Sequence, residues 1–100
     1  MMFSPRNHIE LHHVMQSEIE SVDTLFEICD AEFNSRVDIH NSFKGATSYK
    51  KWARYPLLRE VQKIAIREGI SCSEHLGLII ACRLSKLWFN LKWLDTVTEE

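Results

Sequence analysis

The amino-acid sequence predicts a mainly α protein: a long N-terminal helix, then a short strand and a two-helix hairpin. Three observations carry this. Glycine and proline are scarce, three and two in 100 residues, too few for the many turns of an all-β chain. Apolar residues from Met15 to Phe33 recur at alternating intervals of four and three. The stretch Arg67-Glu68-Gly69-Ile70-Ser71-Cys72-Ser73-Glu74 holds a helix stop and a helix start in immediate succession.

Ser4-Pro5 reads as the start of the first helix, with Ser4 as N-cap and Pro5 where a missing N–H costs nothing. No glycine or proline follows until Gly45. The stripe Met15, Ile19, Val22, Phe26, Cys29 and Phe33 then gives an amphipathic helix over about residues 5–33, with most acids off the stripe. Residues 34–46 are rich in turn formers (Asn34, Ser35, Asp38, Asn41, Ser42, Gly45) and read as a loop anchored by Val37 and Ile39.

Residues 47–55 fit two states. As a strand they put Lys50, Trp52 and Arg54 on one face; as a short helix, Thr47 or Ser48 caps them and Pro56 ends them. Thr47, Tyr49, Trp52 and Tyr55 tip the reading toward a strand. Pro56 opens a helix of about 56–68 whose apolar face is Leu57, Leu58, Val61, Ile64 and Ala65. Gly69 ends it in the left-handed conformation. Ser71 and Glu74 stand at capping-box spacing, so the next helix starts at Cys72 and runs to about Asp95 on Leu76, Ile79, Ile80, Leu84, Leu87, Trp88, Leu91 and Leu94. Gly77 costs that helix about 1 kcal/mol relative to alanine, which a close backbone approach, such as that of a symmetry mate, would offset. Phe89 and Trp93 lie off the stripe, a surplus of apolar surface that suggests a partner subunit.

The chain is expected to form one compact domain: an acidic helix and loop (1–46), a basic body (47–95) and a tail (96–100). The formal net charge is only −2, but it is segregated. Residues 1–35 hold seven acids and one base, whereas residues 36–94 hold eleven bases and four acids. A basic body of this kind suits a polyanion. No apolar run approaches the ~18 residues of a membrane span, and the N-terminus lacks the pattern of a signal peptide. Cys29, Cys72 and Cys82 are odd in number and contain no CxxC, so neither a disulfide framework nor a zinc site is expected. A cytoplasmic, reducing location follows as an expectation.

Candidate chemistry is sparse. His8 and His12 are four apart with His13 adjoining, but no third metal ligand has suitable spacing. Cys72 near a helix start, with His75 three residues on, suggests a thiol of lowered pKa; a small residue filling the turn is the simpler reading. No nucleophile elbow, phosphate loop or zinc-protease motif occurs. An enzyme, a cofactor and a metal are therefore not expected.

Leu58, Val61, Ala65, Gly69, Ser71, Ser73, Glu74, Leu76, Ile80 and Leu84, with the turn Gly-Ile-Ser-Cys-Ser-Glu at 69–74, resemble a ribbon-helix-helix DNA-binding domain over about 47–88. The resemblance implies a homodimer whose paired strands enter the major groove of duplex DNA. It makes Lys50, Trp52 and Arg54 the base readers and the amides near Ser71, Cys72 and Ser73 the phosphate donors. Lys51 on the inward face and the late start at Pro56 depart from the family pattern. A helix-turn-helix is the nearest rival, but it wants an apolar residue where His75 stands.

Two functions follow as expectations. One is a small DNA-binding regulator, a repressor in transcription or in plasmid- or phage-type control, with a further protein partner on the acidic helix 5–33. The alternative is a non-enzymatic all-α interaction module, an adaptor or inhibitor, in which Trp52, Trp88, Phe89 and Trp93 anchor the core or an interface.

Overall fold

The computed structural model of the chain describes the backbone of residues 5–99 and the side chains of residues 19–91. Five helices follow one another: α1 (Pro5–Asn34), α2 (Val37–Lys44), α3 (Tyr49–Trp52), α4 (Leu58–Glu68) and α5 (Glu74–Glu99), with a wide turn, Ala53–Leu57, between α3 and α4. Ser4, the side chains of His8, His12, His13 and Met15, and those of Trp93 and Leu94 lie outside the described residues.

α1 matches its sequence pattern in extent. Of its apolar face, Leu25, Cys29 and Phe33 are fully buried, Val22 and Phe26 are partly buried against the core, and Ile19 stays exposed. The helix closes where the Asn34 side-chain amide donates to the Asp30 carbonyl (2.7 Å) and the Ser35 hydroxyl to the Glu32 carbonyl (2.8 Å).

The predicted loop of residues 34–46 is largely helical. α2 has Asp38 in its first turn and Lys44 in its last, the charge order that suits the helix dipole. Short polar side chains mark turns only when no apolar face binds the segment elsewhere. Here Ile39 is buried and Phe43 packs on the core, while Val37 faces solvent.

The predicted strand does not form, and with it falls the resemblance to ribbon-helix-helix domains. No strand occurs among the described residues, so no ribbon can be presented to a groove of DNA. Residues 49–52 are helical instead. The Ser48 hydroxyl accepts from the Lys51 amide at 3.4 Å, and the Trp52 amide donates to the Ser48 carbonyl at 3.0 Å. The buried Ser85 hydroxyl donates to the Tyr49 carbonyl at 2.7 Å, tying α3 to α5. A strand leaves its amides to be paired by another strand. α3 satisfies them within the chain and turns Trp52 and Ala53 inward.

Tyr55 departs from the helical path (φ −141°, ψ 105°) next to the cis Tyr55–Pro56 peptide bond. The proline ring disfavours the helical region for the residue that precedes it. Pro56 therefore lies within the turn rather than opening a helix, and α4 begins at Leu58.

Gly69 ends α4 with φ 68°. The Ile70 amide donates to the Ala65 carbonyl (2.9 Å) and the Gly69 amide to the Ile66 carbonyl (3.2 Å), the paired bonds of a Schellman stop. The following start is shifted by two residues. Ser73, not Ser71, caps α5: its hydroxyl accepts from the Leu76 amide at 3.1 Å and its carbonyl from the Gly77 amide at 2.9 Å. Gly77 is closely approached, but by side chains of its own chain rather than by another backbone. A Cβ there would lie 3.1 Å from Leu58 Cδ1 and 3.5 Å from Cys72 Sγ, so side chains from α4 and the turn, not a symmetry mate, fill the space.

The core is shared by every helix. Leu57, Val61, Ile64 and Ala65 meet Ile80, Ala81 and Leu84 across the α4–α5 hairpin, and α1 lies over both. At one end Trp52, Trp88, Phe43 and Phe89 form an aromatic cluster. Ring centroids are 5.0 Å apart for Phe43–Trp52, 5.3 Å for Phe43–Trp88 and 5.5 Å for Trp52–Trp88.

Candidate polyanion-binding groove

The inward faces of α3 and α5 decide what their outward faces offer. With Trp52 and Ala53 buried, Lys50, Lys51 and Arg54 point outward, and Tyr49 is half-buried at the edge. On α5, Gly77, Ile80, Ala81, Leu84, Ser85 and Trp88 are buried, which leaves Leu78, Cys82, Arg83 and Lys86 toward solvent. These two sets, with Tyr55 from the turn, line one groove of about 650 Å³. Five of its nine lining residues are cationic and none is acidic.

The disposition of ion pairs makes the groove distinctive. Arg36 is tied to Asp38, Glu60 and Glu32, at 2.5, 2.7 and 3.4 Å. Arg67 pairs with Glu32 at 2.6 Å and with Glu68 at 3.1 Å, and Lys63 with Glu60 at 3.3 Å. This network clamps the end of α1 and the start of α2 onto α4. Hydrogen bonding from Asp38, and then Glu60, raises the Arg36 pKa further above its already high range. Burial pushes the Glu60 carboxyl upward, but the bonds from Arg36 and Lys63 outweigh it and leave the group below its ordinary range.

In the groove the acids are missing. Lys50, Lys51, Arg54 and Lys86 form no ion pair among the described residues. Arg83 has a loose contact with Asp23 at 3.8 Å and lies 4.7 Å above the Phe26 ring. Lys44 and Arg59 also form no ion pair among the described residues, but they do not border this groove. Like charges gathered without counter-charges raise the local positive potential, which concave low-dielectric walls focus outward.

Of the residues that sequence reasoning assigned to DNA, Lys50 and Arg54 meet in this groove. Trp52 does not. It is 3% exposed, and its indole N–H donates to the Ser42 hydroxyl at 2.9 Å. It had shared a face with Lys50 and Arg54 only under the period of two of a strand; the helical period turns it into the core. Ser71, Cys72 and Ser73 lie apart, lining a crevice of about 220 Å³ against Ser21, Val22 and Leu25 of α1 that shares no residue with the groove. Burial pushes the Cys72 thiol up rather than down, so the helix start does not activate it.

Tyr49, Lys51, Tyr55, Leu78, Cys82, Arg83 and Lys86 were missed as site residues. One signal was available: Leu78, Cys82 and Lys86 recur every four residues off the apolar stripe of α5, and Arg83 and Lys86 are the only arginine and lysine between Gly69 and Leu91. Nothing in the sequence, however, says that this face of α5 borders α3. Among the described residues no group of three His, Cys, Asp or Glu side chains is placed to hold a metal, and no helix is long and apolar enough to cross a membrane.

No protein-family model matches the chain, and neither a curated protein nor a solved structure is significantly similar to it.

Proposed function

We propose that the protein is a small non-enzymatic nucleic-acid-binding module that holds backbone phosphates in the groove between α3 and α5. The observation that carries this reading is the groove's charge: five cations, four of them without an ion pair among the described residues, around a hollow lined by no acid. With no ribbon, nothing remains of the base-reading device, so affinity rests on phosphate contacts and on release of counterions.

If all five cations reach phosphates, log K falls against log salt with a slope of about −3.5 on single strands and about −4.5 on duplex. Lys50→Gln with Arg54→Gln, both exposed, removes two contacts and brings these slopes to about −2.1 and −2.7. Fluorescence anisotropy over a salt series measures them. Absence of binding at low salt, or an unchanged slope in the double variant, would overturn the proposal.

A second reading, a protein-binding module, draws on one further observation. Ile79, Leu87 and Leu91 of α5 are 38%, 40% and 52% exposed. Exposed apolar side chains on a helix are what a protein partner would cover. Self-association or partner capture lost on Leu87→Ser with Leu91→Ser, together with no nucleic-acid binding, would select this reading.

A further inference from the structure

The groove has a feature that phosphate binding does not use. Tyr55 is 70% exposed and Tyr49 is half-buried, and both line the groove among its cations. The run Tyr49-Lys50-Lys51-Trp52-Ala53-Arg54-Tyr55 delivers two phenol rings and three cations to one surface while sending Trp52 inward. The position of Tyr55 follows from its neighbour. It precedes Pro56 and takes an extended conformation amid helical residues, so it leaves the inward-facing helical pattern. Tyr55 also lines a second hollow of about 250 Å³, shared with Ser48, Lys51 and Pro56, and so borders both. Tyr49 is held from behind, where Ser85 Oγ donates to its carbonyl.

We infer that the groove selects unpaired nucleic-acid strands over duplex, with Tyr55 and Tyr49 stacking on bases while the flanking lysines and arginines hold phosphates. This rests on the nucleic-acid reading above and names its ligand class. Phosphates are common to both forms of nucleic acid and cannot discriminate between them. Base faces do discriminate: in a duplex each is covered by its neighbours, whereas in a single strand it is free to stack on an aromatic ring. The groove is also poorly equipped for duplex readout. α3 is four residues long, and on the α5 face turned to the groove Leu78 and Cys82, weak partners for the donors and acceptors of base edges, stand beside Arg83 and Lys86, whose charges serve phosphates in this reading. Stacking tolerates any base, so the selected ligand is defined by strandedness rather than by sequence.

The test compares a fluorescent oligothymidine with a mixed-sequence duplex of equal length, at one salt concentration, using the full chain. Tyr55 lies outside the core, so Tyr55→Ala leaves the fold intact, which circular dichroism checks. Wild type is expected to prefer the single strand. Tyr55→Ala should weaken single-strand binding by about 5- to 150-fold, leave duplex binding unchanged, and be rescued by Tyr55→Phe, which keeps the ring. Equal losses on both ligands, or no loss on the single strand, would overturn the inference. If Lys50→Gln with Arg54→Gln still weakened binding in that case, the nucleic-acid reading would survive alone. Displacement of the oligothymidine by polyglutamate at matched charge would show a groove indifferent to bases and would also overturn it. Failure of both oligonucleotides to bind would remove both proposals together.

Discussion

Replacing Trp52 separates a helical core role for residues 49–52 from an exposed one. The indole is 3% exposed, touches Phe43, Trp88 and Phe89, and donates to Ser42. Truncating such a side chain loses its transfer free energy and leaves a cavity, together about 3–5 kcal/mol. A domain of this size is stable by about 5–15 kcal/mol in all, so Trp52→Ala removes a large share of it. At a urea m-value of about 1.5 kcal/mol/M the unfolding midpoint falls by roughly 2–3 M. Trp52→Phe retains an aromatic ring but loses the hydrogen bond and some volume, at about 1–2 kcal/mol. Urea titration followed by far-UV circular dichroism measures both. A loss below about 1 kcal/mol for Trp52→Ala would return this segment to the surface and refute the packing described above.

Two further predictions concern titrating groups. Glu60 has a folded pKa below its ordinary range, so its pairing stabilises the fold at neutral pH, and that contribution is lost as the pH falls through the carboxylate range. Glu60→Gln should cost about 1 kcal/mol at neutral pH, and chemical denaturation should show the gap to wild type closing in acid. Cys29 is fully buried, and its thiol pKa is pushed up to about 12, chiefly by burial and then by the charge of Glu32. The unfolded thiol ionises near its ordinary value and the folded one does not, so this contribution is whole below about pH 9 and declines as the pH rises toward about 12. Cys29 should therefore resist alkylation in the native protein while Cys82, in the groove, reacts. Mass spectrometry after brief iodoacetamide treatment reads the difference, and native labelling of Cys29 would contradict its burial.

Much of the architecture is written in short-range patterns. The four-three spacing of apolar residues before Asn34, the glycine at 69 and the polar run after it each act within one or two helical turns. They specify α1, the stop of α4 and the restart as α5 without help from distant residues. Charge segregation is equally plain in the sequence, as is the membership of Lys50 and Arg54 in a cationic surface. Where two local signals compete, the sequence is silent. Ser71 and Ser73 both precede a helix with an acceptor hydroxyl, and only the packed turn shows that Ser73 bonds the Leu76 amide.

Residues 47–55 were decided by contacts far along the chain. Their aromatic and β-branched content leans toward a strand by an amount smaller than one tertiary hydrogen bond or one buried ring. The Ser85 hydroxyl on the Tyr49 carbonyl and the aromatic cage around Trp52 supply both, and they favour the helix. The groove depends on the same long-range packing. Its cations come from segments about thirty residues apart, and whether they converge is set by which face of α5 the core leaves uncovered. Helix-forming signals are local and sum along the chain, so sequence alone determines them. The juxtaposition of two outward faces is a property of the packed core, and only the tertiary structure determines it.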